Sequence, residues 1–143
     1  MIHENLKMRG RVVVTVNGEV VEETDNLVVT TGKNFVASRI KDATATAMSH
    51  MAVGTSNTAA AAGQTALVGT EEGRVALTST TLNNNEVVYV ATFGAGTGTG
   101  TLNEAAILNA SSGGTMLCRV VFSGAVSKSS SDSMTITWTV TIG

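Results

Sequence analysis

The nine residues at positions 134–142 alternate without a break between large apolar side chains and threonine. The apolar positions are Met134, Ile136, Trp138, Val140 and Ile142. Successive side chains of a β-strand point to opposite faces, so this period of two predicts a strand with a buried apolar face and a more exposed threonine face. Such alternation is typical of antiparallel sheets and points the whole chain toward an all-β fold. We also expect this threonine-lined strand to be a sheet edge that pairs with a second copy of the chain.

Two further segments have the pattern of β-hairpins. Residues 8–29 alternate on both sides of Asn17-Gly18, a pair that favours a two-residue type I′ turn. Residues 74–81 and 86–93 alternate on both sides of a connection at residues 82–85. Shorter strands are predicted at residues 50–54 and 115–122, and Tyr89, Phe93 and Phe122 are expected to anchor the core.

One segment, residues 31–41, favours a helix. Phe35, Val36 and Ile40 fall on one helical face and are expected to pack against the sheet. Thr30 or Thr31 is the expected side-chain cap.

Composition supports this fold class. The chain has 143 residues, no proline, 22 threonines and 19 valines, and β-branched residues suit a pleated sheet. About eight strands, one short helix and no alternation of strands with helices predict an antiparallel β-sandwich, jelly-roll-like or immunoglobulin-like. The expected organisation is an N-terminal arm at residues 1–8 followed by a single domain at residues 9–143.

Several function classes are disfavoured by the residues. The net charge is −2, and no apolar run approaches the length of a membrane span, so neither nucleic acid nor membrane is an expected partner. A lone cysteine, Cys118, permits no internal disulfide and is expected to be a small core residue. His3, His50 and Cys118 are too far apart in sequence for a classical metal site, and no cofactor is expected.

Enzymatic activity is not expected either. The glycine-rich run at residues 94–100 lacks the strand–turn–helix context of a phosphate-binding loop, and no nucleophile motif is present. Carboxylate pairs for glycoside hydrolysis can be drawn only among Glu71, Glu72, Glu86 and Glu104. One Trp and one Tyr give few stacking platforms for a sugar, which also places a carbohydrate-binding module last among the alternatives.

Several motifs occur in an order that can be compared with a known family. They are residues 50–55, 64–71, 74–79, 89–93, 102–110, 114–122, 128 and 132–138. In this order they resemble a family of small virion structural proteins of tailed bacteriophages, over roughly residues 27–142. That family usually has an acidic residue followed by Ala-Gly-Ile-Phe-Asn-Ala. Here Ala106 and Leu108 replace the glycine and the aromatic residue, and Cys118 stands where alanine is common.

The resemblance implies a non-enzymatic component of the phage particle, made in the host cytoplasm. One compact domain fits a capsid cement or decoration protein that contacts the major capsid protein and stabilises the head. The alternative is a small tail-fibre, baseplate or tail-tip component that contacts tail proteins.

Two sets of side chains are the predicted interaction residues. Only 14% of residues are charged, so little repulsion opposes association, and a homo-oligomer is expected. The arm carries Ile2, Leu6 and Met8, which could lie across a neighbouring subunit and become ordered there. Lys33, Arg39 and Lys41 give the predicted helix a positive edge that could meet an acidic neighbour.

Overall fold

A computed structural model of the chain describes residues 5–143. These residues form nine strands and one helix, in the order β1 (Met8–Val16), β2 (Glu19–Val28), α1 (Thr30–Asp42), β3 (His50–Gly54), β4 (Glu71–Ala76), β5 (Ser79–Asn83), β6 (Glu86–Phe93), β7 (Gly100–Leu108), β8 (Met116–Lys128) and β9 (Met134–Ile142). Every strand pair is antiparallel. The prediction of an all-β antiparallel fold with one short helix is confirmed.

The strands form one curled sheet with the order β4-β3-β7-β8-β2-β1-β9-β6-β5. Strand β2 links its two halves, since it pairs with β1 along most of its length and with β8 through Leu27 and Val28. Side chains of both halves contribute to the larger hydrophobic core cluster, and a smaller cluster forms around Val29, Ala52 and Ala106. The finer expectation of a jelly-roll-like sandwich is not confirmed, because the hydrogen bonds run continuously through all nine strands.

The two edge strands of this sheet, β4 and β5, follow each other in sequence with only Leu77 and Thr78 between them. The Leu77 N–H donates to the Ser49 carbonyl at 2.9 Å, and the Thr78 N–H donates to the Val90 carbonyl at 2.7 Å. The chain therefore passes directly from one end of the sheet to the other, and the curled sheet encloses its core.

Strand β9 has the predicted alternation of apolar and threonine side chains, but it does not lie at the predicted position at a sheet edge. Met134, Ile136, Trp138 and Val140 are buried, and the threonines between them are half-buried. The expectation that β9 is a sheet edge is wrong, because β1 and β6 pair with it on its two sides. Its apolar face closes the centre of the core, and its backbone has no free edge for a second copy.

The first hairpin turns as predicted. Asn17 and Gly18 have φ angles of 50° and 85°, the left-handed conformation that a type I′ turn requires. The Asn17 side chain also donates to Asp132 Oδ1 at 2.9 Å and accepts from the Ser133 N–H at 3.0 Å. The hairpin tip is therefore fastened to the turn between β8 and β9.

Trp138 is held through a polar contact that depends on a glycine. Its Nε1–H donates to Asn26 Oδ1 at 3.1 Å. The Asn26 side chain occupies the space above Gly10, where an added Cβ would lie 1.6 Å from Asn26 Oδ1. Only glycine at position 10 leaves room for this arrangement.

A buried ion pair fastens the long connection between β3 and β4. Arg119 and Glu104 lie opposite this connection on β8 and β7, and both are fully buried. Arg119 Nη1 donates to the Thr58 carbonyl at 2.9 Å and to Gln64 Oε1 at 3.1 Å. The two Glu104 oxygens accept the backbone N–H groups of Val68 and Gly69. The alanine-rich segment of this connection, residues 56–63, contains no helix or strand, and these bonds tie the connection to the sheet.

Helix α1 matches the predicted segment within one residue at each end. The expected threonine cap is wrong. Val29 is the N-cap and makes no side-chain cap bond, and the Thr31 hydroxyl donates instead to the Met116 carbonyl at 2.8 Å. Gly32 lies so close to β8 that an added Cβ would be 1.9 Å from the Leu117 carbonyl oxygen. The helix therefore contacts the sheet most closely near its N-terminus.

Candidate interaction groove

An apolar groove lies between α1 and one end of the curled sheet, where β1 and β6 begin and β5 and β9 end. Its main cavity has a volume of about 680 Å³. The residues that line it are Met8, Phe35, Val36, Arg39, Ile40, Ala43, Leu82, Val87, Tyr89, Leu117, Val140 and Ile142. We call this cavity and the adjoining one described next the helix–sheet groove.

The adjoining cavity extends the groove toward the N-terminal segment. It has a volume of about 630 Å³ and shares Met8, Val36, Ile40 and Ile142 with the first cavity. Leu6, Lys7 and Lys33 complete its lining. The Gly143 N–H donates to the Lys7 carbonyl at 2.7 Å, and this bond holds residue 7 beside the end of β9.

Large apolar side chains at the groove are exposed to solvent. Leu6 is 70% exposed, Ile40 81% and Leu82 76%. Single exposed apolar residues are common on protein surfaces. Here Ile40 lines both cavities, Leu6 lines the N-terminal one and Leu82 the main one, so the three exposed side chains follow one apolar groove, a feature that marks interaction sites. The expectation that Ile40 packs against the sheet is wrong, whereas Phe35 and Val36 do pack against the core. The predicted apolar face of α1 exists, but in the last turn of the helix this face lines an open groove.

Among residues 5–143, the charged side chains that line the groove are cationic. They are Lys7, Lys33 and Arg39, and no carboxylate of the described part of the chain belongs to the lining. Arg39 Nη1 donates to the carbonyls of Ala43 and Ala45 at 3.0 and 2.7 Å, which fixes the guanidinium at the C-terminal end of the helix. Among residues 5–143, none of the three cations has a carboxylate within ion-pair distance.

Tyr89 lies in the lining of the groove and is nearly buried. Burial, with a smaller contribution from Cys118, raises the pKa of the Tyr89 hydroxyl to about 12, and Arg39 partly opposes this rise. The phenol therefore stays neutral at physiological pH and contributes an apolar ring to the groove.

The structure brings together four of the six predicted interaction residues. Leu6, Met8 and Lys33 line the N-terminal cavity, and Arg39 lines the main cavity together with Met8. Lys41 belongs to neither lining and pairs with Asp42 at 2.8 Å. Ile2 lies outside the described residues. Met8, assigned to the arm by the sequence, is already the first residue of β1.

Among the groove residues that the sequence did not predict, Ile40 and Leu82 are the large apolar side chains exposed to solvent. Ile40 was expected in the core, and Leu82 was assigned to a four-residue connection. The turn is in fact Asn84-Asn85, with Asn84 at a φ of 54°, so Leu82 belongs to β5. The three consecutive asparagines after Leu82 are the signal that could have located the turn at residues 84–85 instead of at residues 82–85.

A second, polar depression lies on the threonine face of β9. It has a volume of about 510 Å³ and includes Thr137, Thr139 and Arg11 in its lining. Arg11 donates to Glu23 at 2.9 Å and to Asp25 at 3.2 Å, and these hydrogen bonds raise the pKa of its guanidinium. The charge of Arg11 is therefore paired within the chain, in contrast to the cations of the helix–sheet groove, whereas Arg9 and Glu86 in the same lining have no ion pair among the described residues.

Two further residues that the sequence analysis discussed as possible chemical groups, Cys118 and His50, lie in ordinary structural environments. Cys118 is fully buried, and burial raises the pKa of its thiol well above the ordinary range. His50 is half-buried at the start of β3 and shares a 2.8 Å hydrogen bond with the Ser49 hydroxyl.

Within residues 5–143, no three His, Cys, Asp or Glu side chains are grouped so that they could hold a metal ion. In the same range, no helix has the length and apolar character needed to cross a membrane.

Comparison of the chain with protein-family models, with curated proteins and with solved structures finds no match.

Proposed function

We propose that the chain is a non-enzymatic structural protein of a phage particle, and that the helix–sheet groove joins it to neighbouring subunits. The observation that carries this proposal is the position of Leu6, Ile40 and Leu82, which leave apolar side chains exposed along the groove beside three cations that have no carboxylate partner among residues 5–143. An apolar cavity with few polar groups gains stability by covering its surface, which favours association with another macromolecule.

Two features of the whole chain support the same role. The order of its motifs resembles small virion proteins of tailed phages, and its low content of charged residues leaves little repulsion between copies. Each contact at the groove can be weak, because many copies around a closed shell add up to a large stabilisation. The leading version is a capsid cement protein on the major capsid protein, and the alternative is a small tail component.

Electron microscopy of purified particles, with density assigned to this chain, tests the proposal. Density on the head, together with earlier genome release on heating of particles that lack the chain, supports the cement version. Density on the tail, with normal heat resistance and failed adsorption to host cells, supports the tail version. A chain absent from purified particles overturns the proposal.

A further inference from the structure

We infer that the groove of one copy binds the β1–β2 hairpin tip of a second copy, so that the chain associates head to tail. This inference names the partner of the groove and in that sense rests on the proposed function. The tip consists of Asn17, Gly18, Glu19, Val20 and Val21, all of which are exposed.

The tip has the apolar character that the groove accepts. Val20 is 58% exposed and Val21 49% exposed. Val21 lies at the irregularity of the β1–β2 ladder, because Thr15 pairs with Val20 and Val14 pairs with Glu22. The extra residue makes a β-bulge, a feature that breaks the regular pairing and re-aims neighbouring side chains. Two small apolar side chains are thus presented together at the end of a rigid hairpin.

The charges of the tip complement those of the groove. Among the described residues, Glu19 has no Lys or Arg within ion-pair distance. Asp132 is fastened to the tip through Asn17 and adds a second negative charge. The cation nearest to it in sequence, Lys128, is buried and donates to the Gly94 carbonyl at 2.9 Å. The described part of the groove lining carries cations and no carboxylate, so one copy's tip and another copy's groove attract each other.

Two carboxylates of the described residues, Asp42 and Glu86, lie on the elements that form the groove. Asp42 is the last residue of α1 and pairs with Lys41, and Glu86 is the first residue of β6. Neither belongs to the lining of the groove. Among the described residues, the charges in the lining are therefore those of Lys7, Lys33 and Arg39, of which Lys7 and Lys33 are exposed.

Tip and groove lie at opposite ends of the domain. Met8 lines the groove and Val16 precedes the tip, and the strand between them rises roughly 3.4 Å per residue. A tip therefore cannot reach the groove of its own chain. Contacts between two different patches are heterologous, so they build a ring when the rotation closes and a filament when it does not.

A mixing experiment with purified chains tests this arrangement. The tip variant carries Val20→Ser and Val21→Ser, and the groove variant carries Leu6→Ser and Ile40→Ser. All four positions are exposed, so both variants should unfold at nearly the wild-type urea concentration. We expect sedimentation velocity to show concentration-dependent oligomers for the wild type and monomers for each variant alone. An equimolar mixture should form a dimer and stop there, because only one intact groove faces one intact tip.

Charge reversal supplies an independent readout. Glu19→Lys or Lys33→Glu should each weaken association about tenfold or more, and the double variant should recover it, with all effects reduced at high salt. Glu72→Lys, an equal charge change on the exposed edge strand β4, is the matched control and should leave association unchanged.

Several outcomes overturn the inference. A tip variant that still self-associates like the wild type indicates groove-to-groove contact, and a mixture that stays monomeric excludes the tip–groove contact. Monomeric wild type at all accessible concentrations excludes it as well. These measurements use the isolated chain, so they can fail while the chain is still found on particles, and they can succeed when it is not.

Discussion

Arg119 and Glu104 face each other from neighbouring strands with no access to solvent. Arg119 Nε and Nη2 both donate to Glu104 Oε2, at 3.0 and 2.5 Å. The remaining polar atoms of the pair bind the backbone of the alanine-rich connection, so the charges are neutralised and their hydrogen bonds are used. Gly54 makes room for this arrangement, since an added Cβ would lie 2.5 Å from Glu104 Oε1.

Breaking this pair should be costly. Arg119→Met leaves a buried carboxylate without its cation, and we expect the free energy of unfolding to fall by about 3–5 kcal/mol. Urea titration followed through the fluorescence of Trp138 measures this loss. Hydrogen exchange should show that the backbone amides of Val68 and Gly69 lose protection before those of the sheet core.

Arg11→Met is the control for this prediction, because Arg11 makes two carboxylate contacts that are both exposed to solvent. We expect only a small change in its unfolding midpoint. Equal destabilisation by the two substitutions would contradict the role assigned to the buried pair.

Gly10→Ala should disrupt the contact between Asn26 and Trp138. The new Cβ would collide with the Asn26 side chain, and overpacking of this kind costs about 1–3 kcal/mol. Asn26→Ala removes the colliding atoms and should recover part of the loss in the double variant. Gly124→Ala on β8 is the matched control, since nothing lies within 4 Å of its added Cβ. A wild-type unfolding midpoint for Gly10→Ala would show that Asn26 does not need this space.

Asp132 should contribute a pH-dependent part of the stability. The backbone N–H of Ser129, and then the Asn17 side chain, hold the pKa of Asp132 below its ordinary value of 3.8. A carboxyl group with a lowered pKa in the folded state stabilises the fold fully above its unfolded pKa, and loses this effect as the pH falls through the folded pKa. The difference in urea midpoint between wild type and Asp132→Asn should therefore shrink as the pH falls from about 5 to about 2. A difference that stays constant over this range would contradict the assignment.

The sequence predicted those parts of the fold that depend on local patterns. The alternation at 134–142 and the Asn17-Gly18 turn are local signals, and both are present in the structure. The place of β9 between β1 and β6 could not be predicted in this way, because the pairing partners are set by contacts far apart in sequence. The same holds for Arg119 and Glu104, whose pairing requires the register of β7 and β8.

The candidate site was predicted in part for similar reasons. Leu6, Met8, Lys33 and Arg39 were identified by apolar and basic character in the arm and the helix. Ile40 was wrongly predicted to pack against the sheet, because helical periodicity shows on which face a residue lies but not whether another part of the protein covers that face. Here Gly32 brings the first turns of α1 close to β8, and Ile40 remains exposed at the groove.

Occupancy of the chain on purified phage particles tests the central claim most directly. Quantitative mass spectrometry should compare wild type with Ile40→Ser, and with Val68→Ser as the control at an exposed apolar residue outside the lining of the groove. We predict that the wild type and Val68→Ser are present at equal copy number and that Ile40→Ser falls about tenfold or more, while all three chains stay folded. Equal occupancy of Ile40→Ser and wild type, or particles without the wild-type chain, would contradict the account.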